Sequence, residues 1–268
     1  MKSKAVAIPY YIWMIVFTVV PLVLVGIFAF TNKDTGGFTL ANFTEIAHYI
    51  PTLWRSILYA VITTVICLLL GFPAAYIISR LPEGKQSTIL MLLMLPMWIN
   101  FILRTYAWMN ILDANGFINQ ILIALGFQPV KMLNSSASVI LGMIYNNLPF
   151  MILPLYSIMT KIDKSVVEAA QDLGCSNSNV IRKVIIPLSI PGISTGITMV
   201  FVPSVSTFII SRMLSGSTIG LIGDLIEQEF LGMNYDPYVG SALSLILMVI
   251  VLVIIGLFNQ FGGEDAVV

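Results

Sequence analysis

An all-α polytopic membrane protein with six spanning helices is the fold class this sequence predicts, and three observations carry it. Hydrophobic residues make up 58% of the 268 residues and charged ones only 10%, against roughly 25% charged in a soluble domain. Mean hydropathy is +0.95, more apolar surface than a soluble fold could cover with polar side chains. The charges also cluster, leaving six windows without Asp, Glu, Lys or Arg: 5–32, 56–79, 86–103, 132–160, 184–211 and 237–263. Helices satisfy their own backbone groups in lipid, and the alternation that a membrane β-barrel needs is absent.

About 20 apolar residues cross a bilayer, and five windows reach that length. The third is short but continues apolar past Arg104 through Trp108 to Leu112. The predicted spans are about 8–30, 54–79, 88–112, 137–160, 189–213 and 240–261, forming one transmembrane domain over residues 1–268. The first apolar stretch follows Lys2 and Lys4. It is longer than the roughly 7–15 residues of a signal-peptide core, so it reads as an uncleaved span.

Lys and Arg set the orientation, since they accumulate on the cytoplasmic side. With a cytoplasmic N-terminus that side carries Lys2, Lys4, Arg80, Lys85, Lys161, Lys164, Arg182 and Lys183. The other side carries Lys33, Arg55 and Lys131. Six spans then return the C-terminus to the cytoplasm. The external connections are 31–53, 113–136 and 214–239; the cytoplasmic ones are a short turn, 80–87, and a longer polar segment, 161–188. Lys33, Arg55 and Lys131 face seven external acids: Asp34, Glu45, Asp113, Asp224, Glu227, Glu229 and Asp236. An acidic surface of this kind favours a cationic solute or a basic patch on a partner protein.

Several function classes are excluded. Zero net charge offers no electrostatic footprint for nucleic acid. Cys67 and Cys175 are too few and too far apart for a disulfide framework or a zinc site. Gly84-Lys85-Gln86 lacks the other glycine and the Ser/Thr of a phosphate-binding loop, so ATP would have to be bound by a partner. The only histidine, His48, falls in an external loop, and no span carries a Ser-His or paired-Asp arrangement for a hydrolase. A secondary transporter would need a coupling carboxylate in mid-span, and none is present.

The segment 161–188 is patterned like structure. Ser165 with Glu168 has the spacing of a capping box. Val166, Ala170 and Leu173 would line one helical face, and Gly174 would end the helix. A second short helix would begin near Ser176 or Ser178 and end at Ile186, before Pro187. On these grounds alone, Glu168 is a cap and Ala169-Ala170 are good helix formers.

The spacing of Glu168-Ala169-Ala170, Gly174, Val184 and Ile186-Pro187 resembles the EAA motif of binding-protein-dependent ABC importer permeases. The family prefers Ile and Leu where this chain has Val184 and Ile186. Leu148-Pro149-Phe150-Met151, Leu95-Pro96-Met97-Trp98, Gly71-Phe72-Pro73-Ala74 and Leu221-Ile222-Gly223 are similar to the spermidine/putrescine branch of that family. The resemblance implies a type I importer permease fold with a cytoplasmic coupling helix, in a bacterial cytoplasmic membrane. Glu168 would offer a carboxylate to an ATPase dimer, Ala169 and Ala170 would permit close approach, Gly174 would make the turn, and Pro187 would close the motif. The implied partners are that ATPase, which binds ATP and Mg, a second homologous permease, an extracytoplasmic binding protein and a polyamine. A related importer for another small solute is the first alternative, and a secondary transporter the second.

Candidate pathway residues are the polar and helix-breaking ones inside spans. Asn100, Arg104 and Trp108 follow one another at one-turn spacing beyond Trp98, and Pro203 with Ser204 interrupts the fifth span. Arg104 could instead snorkel to the external interface. Trp98 and Trp108 could equally be interfacial belt aromatics.

Overall fold

The computed structural model describes residues 8–216, 219–232 and 235–262. Lys2 and Lys4, which count toward the cytoplasmic charge excess, lie outside the described residues, as does the C-terminal end from 263. All regular elements among the described residues are helical; one isolated antiparallel bridge, Thr31 with Phe38, closes a turn in the first external loop.

Four helices are long and apolar enough to cross a membrane alone. These are α1 (Ile8–Ala29), α2 (Ile50–Ser79), α6 (Ser136–Met159) and α12 (Pro237–Gly262). The third and fifth spans are not the straight helices expected over 88–112 and 189–213. The third divides into α3 (Glu83–Met94) and α4 (Phe101–Leu112), followed by external α5 (Phe117–Ala124), with a 90° bend at the break. Pro96 sits in the short turn Leu95–Trp98, where its missing N–H prevents one continuous ladder. Near the fifth span, α8 (Asn177–Val180) continues through a wider turn to Leu188, bends by 70°, and becomes α9 (Ile190–Val205). The chain then breaks at 206–208 and resumes as α10 (Ile209–Ser215), before external α11 (Ile222–Leu231). Helix α7, in the segment expected on the cytoplasmic side, spans Lys164–Asp172.

The centre of the molecule is the mutual packing of α2, α6 and α9. Lipid supplies no hydrophobic drive for helices to associate, so close backbone approach and polar contacts must do it. A Cβ on Gly192 would lie 3.0 Å from the Pro154 carbonyl oxygen, and one on Gly196 would lie 2.6 Å from the Met151 sulfur. Across the same faces Asn147 Nδ2 donates to Ser204 Oγ at 3.0 Å, and Ser204 Oγ donates to the Val200 carbonyl at 2.6 Å. Met151, Leu155, Met159, Ile185 and Val200 fill the inner half. Tyr59, Val139, Met143 and Leu214 fill part of the outer half. By contrast α1 buries only Ala29 and α3 buries nothing, so both lie at the periphery.

Candidate functional site

The segment 161–188 is a helix, a sharp turn and a second helix, with different capping from the sequence reading. The N-cap is Asp163, whose Oδ1 accepts the Ser165 N–H at 3.0 Å. Helix α7 therefore starts one residue before Ser165, and the Ser165–Glu168 capping box does not form. The Ser165 backbone and side-chain hydrogen bonds hold the Asp163 carboxyl below the usual carboxylate range. Gly174 ends the helix with φ +84°. The Gly174 N–H donates to the Gln171 carbonyl at 2.8 Å and the Cys175 N–H to that of Ala170 at 3.1 Å. A Cβ on Gly174 would meet nothing within 4 Å, so backbone conformation alone calls for glycine here.

The face that turns inward also differs. Ile162, Val167 and Ala170 pack against the inner core, whereas Val166 is 43% and Leu173 86% exposed. Val167 and Ala170, three residues apart, share the face that packs inward. Glu168 and Ala169 are exposed, and Glu168 has no hydrogen-bond or ion-pair partner among the described residues. Pro187 does not end the second helix. It sits in the first turn of Ile186–Leu188, where a missing N–H is tolerated, and the bend falls at Ser189.

Beside α7 lies the turn between the second and third spans. Gln86 Nε2 donates to the carbonyls of Leu81 at 2.6 Å and Ser79 at 3.3 Å, while its Oε1 accepts the Tyr156 hydroxyl at 2.7 Å. One side chain thus caps the end of α2 and ties it to the last turns of α6. Nothing in the sequence could have paired residues 70 apart.

On the outer side the structure separates the pathway candidates. Asn100 is not on the face of a helix with Arg104 and Trp108; it is the N-cap of α4, accepting the N–H groups of Ile102 and Leu103. Trp98 is 75% exposed in the turn before it. The Arg104 guanidinium lies 5.8 Å from the Phe101 ring centroid. Trp108 packs edge-on against Tyr145 at 5.2 Å and lies half-buried against the outer core. Pro203 lies within α9, which continues to Val205, and Ser204 is fully buried against α6. At the break Ser206 and Phe208 reach the surface, and Ser206 is the polar one.

A cluster around α11 was not anticipated. Arg212 on α10 forms a two-pronged ion pair with Glu227 on α11. One turn earlier on α11, Asp224 is 4% exposed, and its Oδ2 accepts the Leu221 N–H at 2.9 Å. Burial pushes the Asp224 carboxyl above the usual range. Lys33 pairs with Asp236 at 3.0 Å, tying the first external loop to the last. The sequence signal was there in Arg212, the lone cation at the outer end of its span, followed by an acidic loop.

Comparison with known proteins agrees with this architecture. The family described as binding-protein-dependent transport system inner membrane component matches residues 1–260. The chain belongs to that family. It is 35% identical over 257 residues to the spermidine/putrescine transport system permease protein PotB of Haemophilus influenzae, covering 92% of this chain and 90% of that one. It is also 35% identical over 247 residues to PotB of Escherichia coli, covering 89% and 90%. Among solved structures, a bacterial ABC transporter that imports the acidic polysaccharide alginate superposes with a TM-score of 0.77 at 19% identity, covering 97% of this chain and 94% of that one. The fold is accordingly that of a type I importer permease.

Proposed function

We propose that this permease is one membrane subunit of an ATP-driven importer of polyamines, spermidine or putrescine. The observation that carries the reading is 35% identity over about nine-tenths of both chains to permeases of spermidine/putrescine systems. Energy enters from a separate ATPase through α7, whose exposed face presents Val166, Glu168, Ala169 and Leu173. Apolar side chains on a solvent-exposed helix, beside an unpaired carboxylate, suit a socket on another protein. Because Gly174 fixes the turn and Val167 and Ala170 anchor the inner face, a push on α7 is passed to α6 and α9 as rigid-body motion. A second permease and an extracytoplasmic binding protein complete the assembly, with both termini of this chain cytoplasmic. Trp98, Asn100, Arg104 and Trp108 on the third span, and Pro203 and Ser204 on the fifth, belong to the two spans whose breaks would open and close the route.

The test is reconstitution with the ATPase and binding protein, followed by uptake of labelled spermidine, putrescine and an uncharged sugar. ATP-dependent uptake of a polyamine and not of the sugar is the expected result. Uptake of the sugar alone would retain the importer and overturn the substrate.

A further inference from the structure

Between the end of α9, the first turns of α11 and the outer half of α12 lies a cavity of about 400 Å³, within the range of roughly 300–1,000 Å³ usual for small-molecule sites. Its walls are mostly aliphatic, with Val202, Ile226 and Met248 among them, and its polar lining is Ser206, Ser244 and Glu227. The hydrogen-bonding state of those three groups is specific. Ser206 Oγ donates to the Val202 carbonyl at 3.1 Å and Ser244 Oγ donates to the Gly240 carbonyl at 2.8 Å. Each hydroxyl has a single hydrogen, and both have used it on their own helix. While those bonds hold they accept toward a ligand, as does the carboxylate of Glu227.

A site whose side-chain polar groups all accept, set in aliphatic walls, calls for a ligand that only donates at its tip and is apolar behind it. A primary ammonium has three donors and no acceptor, and a methylene chain suits the walls. A neutral sugar would bring hydroxyls needing donors that the lining lacks, and a carboxylate would be repelled. The Glu227 carboxylate already holds a cation, the Arg212 guanidinium, which comes from the short helix just beyond the break in the fifth span. Arg212 is 42% exposed at its side chain, so it can leave Glu227 for water at modest cost. Resting on the polyamine reading above, we propose that this groove is an outer subsite for one end of a linear alkylammonium ion, accepted by Glu227, Ser206 and Ser244, with Arg212 the resident cation that the substrate displaces. The exchange conserves charge: one cation leaves the carboxylate as another arrives. It also removes one of the contacts between α10 and α11, the Arg212–Glu227 pair, so that arrival of substrate loosens the outer end of a broken span.

The assembled permease pair and ATPase, in lipid nanodiscs without binding protein, is dialysed against labelled spermidine. Glu227→Gln is expected to weaken binding about ten-fold. Arg212→Gln breaks the same ion pair but keeps the carboxylate, and binding should be unchanged or tighter. Ser244→Trp fills the groove and should weaken binding as Glu227→Gln does. Equal weakening by Glu227→Gln and Arg212→Gln would mean that the pair is only a structural latch, and would overturn the subsite. So would loss of a co-purified lipid from Ser244→Trp with spermidine binding intact, since an acyl chain would then be the occupant. Wild-type uptake of polyamine with binding indifferent to Glu227 overturns the subsite alone. Glu227-dependent binding without any wild-type uptake supports the subsite and overturns the transport reading.

Discussion

The bundle of α2, α6 and α9 and the cytoplasmic segment from Lys164 to Leu188 are built on opposite principles. In the bundle, glycines bring backbones together until there is no room for a Cβ, and buried Asn147 and Ser204 bond across the seam. In the segment, α7 buries none of its residues, and its glycine has open space around it. The bundle is complete within the chain. The segment has one face anchored and the other unmet, which is how a part meant to transmit force from outside would look. The contrast teaches that the same residue type serves two purposes. Gly192 is needed for proximity and Gly174 for φ, so their replacement should fail in different ways.

The largest effect separates the two regions by what is lost. Glu168→Lys reverses the charge on the exposed face of α7 and touches nothing in the bundle. Uptake by the reconstituted importer should fall at least ten-fold, the order expected when a charged contact worth about 1.5–3 kcal/mol is lost, with the melting temperature of the isolated permease unchanged. Gly174→Val should behave alike, because a β-branched residue at φ +84° costs at least roughly 1–2 kcal/mol and would re-aim the turn. A drop in melting temperature with uptake per folded molecule retained would place α7 with the bundle instead. In the bundle, Gly192→Leu forces a side chain against the Pro154 carbonyl, only 3.0 Å from the new Cβ. Overpacking of this kind costs about 1–3 kcal/mol. The expected outcome is a lower melting temperature, with uptake falling in proportion to the folded fraction.

Legibility follows the same division. Hydropathy marked α1, α2, α6 and α12 to within a few residues, because length and the absence of charge are properties of the chain itself. It also marked the apolar stretches of the third and fifth spans, but not their breaks. Pro96 and Pro203 look alike in sequence; only the first sits at its break, while the second lies inside a continuous helix and the chain breaks three residues later. What the second break has beside it is a tertiary contact. A Cβ on Gly223 would lie 2.5 Å from the Thr207 carbonyl oxygen, so the first turn of α11 packs directly on the break. Asn100 was misread for a local reason: one-turn spacing suggests a shared face, but an Asn with free backbone amides ahead of it caps instead. The spacing from Glu168 to Pro187 that resembles the family motif could be read from the chain, whereas the Gln86–Tyr156 bond and the Arg212–Glu227 pair depend on how the helices meet.

A smaller effect sharpens the picture of the bundle. If Asn147 and Ser204 contribute through their mutual hydrogen bond, a double-mutant cycle with Asn147→Ala and Ser204→Ala should return a coupling of about 0.6 kcal/mol, the average for such contacts between membrane helices. Thermal or denaturant unfolding in a fixed detergent measures it. A coupling near zero would assign the seam to glycine packing alone.

The smallest effect concerns the start of α7 and is read by pH. Asp163 caps the helix as a carboxylate, and its hydrogen bonds to Ser165 hold its titration below the ordinary value. A carboxyl depressed in the folded state stabilises that state above its ordinary pKa, and the contribution disappears as pH falls through the depressed one. The first turn of α7 should therefore keep its protection at neutral pH and lose some of it only in strongly acidic solution, below the usual Asp range. Asp163→Asn retains an acceptor without a titrating group, so its first turn should fray no further on acidification. Amide exchange at Ser165, followed from neutral pH downward after correction for intrinsic rates, distinguishes the two. Because the bundle supplies no titrating partner to this turn among the described residues, the core amides of α6 should be indifferent over the same range. If they open together with Ser165, α7 is mechanically continuous with the bundle at rest, and the division between a finished core and an awaiting segment does not hold.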